Sequence, residues 1–391
     1  MDMAELQDAP AAAVVMAEAA EIDVGAPAML AAVRTLADGP LREAADAIDR
    51  GTYPRELMQR LGAAGAYGAH LGTGAAAPDY ATAIRAMAEV SRVCGATGFM
   101  VWCQQVCGLY LEQSGNPALG GDFLQRHAAG LRLGGTGMSN PMKAYAGIEP
   151  LLLKATPVPG GYKVNGTLPW VSNLGPDHYA GVLAGVAGLP EGESREVMFL
   201  LRCDAPGVEL RQCPSFSAME GTNTWALRCT DLFIGGDDLM ADPAKPFIAR
   251  IRAGFILLQT GFGLGVVQGA IDSMWRVEAA LGHVNQFLED RPDELQGELD
   301  ALWERIDTLA LTPFASDKDY FIDVLDARAH ASELALRAAQ SGLLHAGARG
   351  YLLSSDVQRR VRESHFVAIV SPAIKHLRKE IARLSAPEMP A

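Results

Sequence analysis

Gly160-Gly161-Tyr162-Lys163-Val164-Asn165-Gly166, with Trp170-Val171-Ser172-Asn173 close behind, is the stretch that decides the fold of this chain. Pro157, Gly160 and Gly161 mark one turn and Asn165-Gly166 marks a second, with the short apolar run Tyr162–Val164 between them. Further runs of this kind surround it: Pro150–Lys154, Tyr179–Val186, Val197–Leu201 and Ala226–Phe233, in a region richer in Gly and Pro than its flanks. The spacing predicts an antiparallel β unit between about Leu131 and Leu239.

Outward from that unit the apolar period changes. From Ala26 to about Gly130, Leu57, Leu61 and Ala64, then Met87, Val90 and Val93, recur at spacings of three and four, with Asp79 placed to cap the second helix. After Pro246 the helical period returns in four long segments, Phe255 to Val277, Leu295 to Ala310, Tyr320 to Ala346 and Asp356 to Leu384. The expected architecture is α+β, with an N-terminal helical domain (1–131), a central antiparallel β-barrel-like domain (132–240) and a C-terminal four-helix bundle (241–391).

Bulk composition narrows the function classes. A chain of 391 residues that is 49% hydrophobic buries its core without staples, and its six cysteines are too sparse for a disulfide scaffold, which points to a reducing cytoplasm. The formal charge of -13 repels phosphate backbones and anionic lipid, so neither nucleic acid nor a membrane surface is an expected partner. Met1 to Leu30 is broken by Glu5, Asp8, Glu18, Glu21 and Asp23 and does not read as a secretory signal. The apolar candidate Phe255 to Ala270 is shorter than a bilayer requires and contains Gln259 and Gln268.

Helices, a β unit and a helical bundle in this order, joined by the opening stretch, resemble the acyl-CoA dehydrogenase superfamily over nearly the whole chain. Gly160–Gly166 with Trp170–Asn173 looks like that family's GGY-x-(I/V)-NG-x-x-x-W-(I/V)-(T/S)-N, and Met138-Ser139-Asn140-Pro141 stands where it has a Thr-Glu-Pro turn. Gly265–Asp272 resembles its first bundle helix, Gly347-Ala348-Arg349-Gly350-Tyr351 its GG-x-GY, and Arg362-Glu363 its R(D/E). Glu220–Trp225 resembles the Gly-Thr/Ser-x-Thr loop of its β domain. The resemblance implies a flavin, FAD with FMN as the alternative, whose ring needs a flat apolar wall and hydrogen bonds at its N5 and O4 edge. It assigns Trp170 to the ring, Ser172 to the N5 edge, and the backbone at Thr136 and Met138 with the Ser139 hydroxyl to the pyrimidine end. Gly347, Arg349 and Gly350 fall in the cofactor-facing element, where Arg349 or Lys143 would donate to phosphate or else be a solvated cation.

The departures bear on chemistry. The family's usual glutamate base aligns, through Arg362-Glu363, with Ser371 in Val370-Ser371-Pro372-Ala373, and a serine without a neighbouring base cannot take a proton from carbon. The alternative base position and its arginine align with Phe255 and Ile256, which are expected to line the substrate instead. Two dinucleotide elements are also replaced, by Met142–Ala146 and by Leu281–Asn285. Trp102 and Gln104 lie in the helix that lines the family's cavity and are candidate substrate contacts, while Cys103 and Cys107 beside them read as buried thiols. The histidines show no metal-ligand spacing, so no metal is expected. His365 and His376 flank the missing base as candidate acid or base groups, or are ordinary helix histidines.

Two function classes follow. One is a flavin-dependent oxidoreductase with altered chemistry, monooxygenase-like or an atypical dehydrogenation or elimination, acting on an acyl thioester or a small molecule. The other is a non-catalytic partner subunit in a heteromeric assembly whose sister chain brings the glutamate. The resemblance and the apolar surface of the bundle also imply a homodimer or homotetramer.

Overall fold

The computed structural model describes residues 25–74 and 76–387; the acidic residues Glu5 to Asp23 of the N-terminal stretch lie outside the described residues. Six helices come first: α1 (Ala26–Leu36), leading through a wide turn at Ala37–Leu41 into α2 (Arg42–Asp49), then α3 (Arg55–Ala63), α4 (Tyr80–Val93), α5 (Gly95–Ser114) and α6 (Gly121–Ala128). Asp79 caps α4 as expected, its Oδ1 accepting from the Thr82 N–H at 2.9 Å. Helix α5 is buried on every side from Gly95 through Leu111, which is why its apolar pattern shows no single face.

The middle of the chain forms one sheet. Strands β1 (Gly134–Thr136), β2 (Leu153–Val158), β3 (Gly161–Val171), β4 (Tyr179–Val186), β5 (Glu196–Arg202), β6 (Val208–Gln212), β7 (Trp225–Gly235) and β8 (Leu239–Ala241) run in the order β6-β7-β3-β2-β4-β5-β8, with β1 on β4. Two features differ from the sequence expectation. The sheet is open, ending at β6 and β8, and it is mixed, because β1 and β2 both pair with β4 in parallel. Its inner side chains, among them Val164, Leu168, Val182, Phe199, Leu227 and Ile234, still meet in a core of their own. The second expected turn, Asn165-Gly166, is a bulge inside the 11-residue strand β3, where the register against β7 slips between Val164 and Gly166. Gly166 has φ +135 and lies so close to the Leu152 carbonyl that a Cβ could not fit. Asn165 holds the bulge by accepting from the Asp231 N–H at 2.9 Å.

A short helix α7 (Ser139–Tyr145) follows β1, and the C-terminal part comprises α8 (Ala244–Leu258), α9 (Thr260–Asn285), α10 (Pro292–Ala310), α11 (Lys318–Ala346), α12 (Asp356–Ile369) and α13 (Ile374–Ser385). The expected first bundle helix begins earlier than Phe255, and α8 and α9 meet at Gln259. Together Ala244–Asn285 spans 42 residues with mean hydropathy 1.5, long and apolar enough to cross a bilayer, but 94% of its most apolar window is buried within the protein. Its glycines explain part of that burial. A Cβ at Gly261, Gly265 or Gly269 would strike the carbonyl oxygens of Ile84, Ala88 and Arg92, so this spacing of four lets α9 lie directly on α4.

The segment read as one helix from Asp356 to Leu384 is two. Pro372 supplies no N–H to continue the helix, and the chain is extended on either side of Ser371-Pro372, at Val370 (ψ 141) and Ala373 (ψ 159). That break presents Ser371 to the rest of the fold.

Candidate functional site

Three segments distant in sequence converge at this break: the start of α7, the α8–α9 junction and Val370–Ala373. The hydroxyls of Ser139 and Ser371, both half-buried, lie 2.9 Å apart. Gln259 Nε2 donates to the Ser371 carbonyl at 3.2 Å, and Gln259 Oε1 accepts from Arg328 Nε at 2.7 Å. Arg328 is fully buried and, among the described residues, takes only neutral partners, donating also to the Val367 carbonyl at 2.8 Å and to Ser332 Oγ. Lys379 donates to the Ala146 carbonyl at 2.6 Å, fastening α13 to the end of α7. Ser371, expected from the sequence at the family's base position, is thus joined to the turn expected at the flavin, through hydroxyls, an amide and a guanidinium.

The titratable groups near this position in sequence take other places. Glu363 is buried and accepts from the Gly95 N–H at 3.0 Å, with Arg359 beside it at 3.5 Å, so it ties α12 to the start of α5. Burial pushes its pKa up, and the two neighbouring arginines, Arg359 and Arg360, oppose that rise. His365 is exposed on α12, and His376 is half-buried on α13 with its pKa pushed down by burial. No hydrogen bond joins either to the serine pair among the described residues.

On the sheet side, Trp170 ends β3 with 57% of its surface exposed, an unusual position for an indole without a covering partner. Ser172 Oγ lies 2.6 Å from Thr224 Oγ1, which lies 2.8 Å from Thr222 Oγ1, and Thr222 donates to the Met219 carbonyl at 2.6 Å. The carbonyl can only accept, so each hydroxyl in the series passes its proton onward and Ser172 donates to Thr224. The expected N5 donor therefore spends its proton inside the sheet. Beside Thr224 opens a surface cleft of 260 Å³, lined also by Cys213, Phe216, Glu220 and Trp225. Asn173, in the left-handed region at φ 61, joins β3 to β1 by donating to the Gly134 carbonyl at 2.7 Å and accepts from Tyr53 Oη at 2.8 Å.

The residues expected to line a substrate are packed among themselves. Gln104 donates to the Arg132 and His127 carbonyls at 2.8 and 3.1 Å and accepts from the Gly134 N–H at 2.8 Å, so it holds β1 against α5. Trp102 meets Phe255 with ring centres 5.2 Å apart, Phe99 lies 5.4 Å from Trp102, and Phe366 lies 4.8 Å from Phe99. Ile256 is buried in the same core, Met138 is buried, and Thr136 Oγ1 lies 2.9 Å from Tyr110 Oη. Of the phosphate candidates, Lys143 is paired with Glu149 at 3.0 Å, and Arg349 is exposed in the short helical turn Gly347–Tyr351, in which Gly350 is buried. Sequence reasoning missed Arg328 and underread Gln259. Their signal was a charged or amide side chain within an apolar helical run, where burial demands partners.

With this geometry in place, comparison with known proteins places the chain. Residues 25–131 match the family described as acyl-CoA dehydrogenase, N-terminal domain. The probable acyl-CoA dehydrogenase YngJ of Bacillus subtilis is 23% identical over 372 residues, covering 90% of this chain and 95% of that protein. Butyryl-CoA dehydrogenase from Megasphaera elsdenii superposes with a TM-score of 0.79 at 18% identity, covering 93% of this chain and 99% of that one. Residues 25–131 carry the acyl-CoA dehydrogenase N-terminal domain, and the whole chain has the acyl-CoA dehydrogenase fold. Within the superfamily fold the likeness extends to dibenzothiophene monooxygenase (TdsC) from Paenibacillus sp. A11-2, with a TM-score of 0.76 at 16% identity over 91% of this chain and 96% of that one. TdsC has been solved with FMN and indole. The same fold thus carries both dehydrogenase and monooxygenase neighbours.

Proposed function

We propose that this protein is a flavin-dependent oxidoreductase on the acyl-CoA dehydrogenase scaffold that has given up proton abstraction from carbon. The observation that carries the reading is the Ser139–Ser371 contact at 2.9 Å, two neutral hydroxyls at the position that the sequence resemblance gives to the general base. A flavin fits at two points. Trp170 offers an exposed aromatic surface for the ring, and Arg349 is an exposed cation open to a phosphate. Bound there, a flavin would supply electron or hydride transfer. Trp170 would then set the ring's plane, and Gln259 and Arg328 would hold Ser371 in position. The aromatic cluster around Trp102 and Phe255 favours a small substrate over a long acyl chain, because rings fill the space between α5, α8 and α12. FAD is the family expectation, and the FMN of TdsC supports FMN equally well.

A second reading, a non-catalytic partner subunit, draws on the sheet side of the site. Ser172 gives its proton to Thr224, and Lys143 is neutralised by Glu149, so two expected cofactor contacts are spent internally. Fluorescence titration of the purified protein with FAD and FMN separates the readings. Saturable uptake of either supports the oxidoreductase, and uptake of neither transfers the case to the subunit.

A further inference from the structure

Arg328 is 0% exposed, and a guanidinium in that position ordinarily has a carboxylate beside it. Here its partners are the Gln259 amide, the Ser332 hydroxyl and the Val367 carbonyl. The last of these belongs to the final turn of α12, whose partial negative charge offsets the cation only in part. Burial pushes the Arg328 pKa down to about 9, and no carboxylate opposes that fall. A full positive charge therefore sits behind Ser371, connected to it by one polarised amide, since Gln259 accepts from Arg328 and donates to the Ser371 carbonyl.

The front of the cluster has spare donor capacity. Ser139 and Ser371 together carry two hydroxyl protons, and the bond between them uses one. The other is free to donate, and both side chains are half-buried rather than sealed. A free donor backed by an unpaired buried cation attracts negative charge and resists a second cation.

We propose that the Ser139–Ser371 pair, backed by Gln259 and Arg328, is a receptor for a small oxyanion, and that the ligand class it selects is a carboxylate carried by the substrate. Assigning that carboxylate to a substrate rests on the oxidoreductase reading; the anion site itself does not. Arg328 acts here as a positioning residue, reaching the ligand through Gln259 and the field it sets up.

The test compares benzoate with its neutral isostere benzamide by calorimetric titration at fixed ionic strength, on the protein as purified and after flavin removal. The expected result is at least a tenfold preference for benzoate in the parent, abolished in Arg328→Met and largely kept in Arg328→Lys. Equal binding of the two compounds by the parent overturns the proposal, as does an undiminished preference in a folded Arg328→Met. Where circular dichroism shows Arg328→Met unfolded, Ser371→Ala decides: a reduced preference supports the receptor and an unchanged one overturns it. Visible absorbance of the same samples scores flavin separately, so loss of the oxidoreductase reading is told apart from loss of the anion site.

Discussion

Ser371→Glu tests whether a single residue type separates this protein from a dehydrogenase. General-base catalysis contributes about 10² to 10⁴ in rate, so the parent should desaturate saturated acyl-CoA thioesters slower than a dehydrogenase by at least that order. The structure sets how far the substitution can restore it. The new carboxylate would enter within reach of the Ser139 hydroxyl, with Gln259 fixing the backbone and the buried Arg328 charge behind it. A nearby cation favours the ionised form, so the carboxylate should be charged at neutral pH but basic only weakly, and partial recovery of about tenfold to a hundredfold is expected. The aromatic contact of Trp102 with Phe255 limits substrate length, so recovery should be greatest with short acyl chains. The assay is turnover with an artificial electron acceptor over short, medium and branched acyl-CoA substrates, for parent and variant across pH. Brisk turnover by the parent would refute the reasoning, because it would require a base that the serine cluster does not contain.

Trp170→Ala should lower flavin occupancy with little loss of stability, since the ring is 57% exposed; a drop in melting temperature with occupancy unchanged would count against its role. Gln104→Leu should cost about 3 kcal/mol or more, because it strands the Gly134 N–H and two carbonyls; a neutral effect in urea unfolding would return Gln104 to the substrate cavity. His70 and His127 are buried with pKa values pushed down from 6.5 to about 4 by desolvation, so the unfolded chain binds protons the folded one refuses. Their contribution is full above pH 6.5 and is lost as pH falls toward 4, by about 2 kcal/mol each at pH 5; a urea midpoint that does not fall between pH 7 and 5 contradicts this. Phe287, Leu344, Tyr351 and Leu353 are all more than half exposed at the ends of α9 and α11, so light scattering should show a homodimer or homotetramer, and a stable monomer at micromolar concentration would refute it.

The order of helices, sheet and helices was legible because apolar period reports local geometry, and Asp79 and the Gly160 turn sit where their chemistry demands. What escaped the sequence was set by tertiary contact. Asn165-Gly166 has the composition of a hairpin turn, but its Gly faces the Leu152 carbonyl and its Asn holds Asp231, so the pair bulges within a strand instead. Helical periodicity ran straight through Val370–Ala373, and only Pro372 signalled the break. Gln104 looked like a pocket residue because a polar side chain on an apolar helix is ambiguous until its partners are known. Those partners are the Arg132 and His127 carbonyls and the Gly134 N–H, all brought to α5 by the start of the sheet.

The same ambiguity explains why the site's polarity had to come from structure. A serine at the base position is compatible with a decayed site or with a site rebuilt for another ligand, and residue identity alone does not choose. Decay predicts that neighbouring polar groups lose their partners, since nothing maintains their geometry. Around Ser371 an ordered set remains: Ser139 on its hydroxyl, Gln259 on its carbonyl, and Arg328 on Gln259, from four separate segments. Burying Arg328 without a carboxylate costs stability, and a cost of that kind persists where the charge serves the site. The cluster therefore favours an active flavoprotein with changed chemistry over an inert subunit, and the benzoate preference and the flavin titration bear on the two halves of that argument separately.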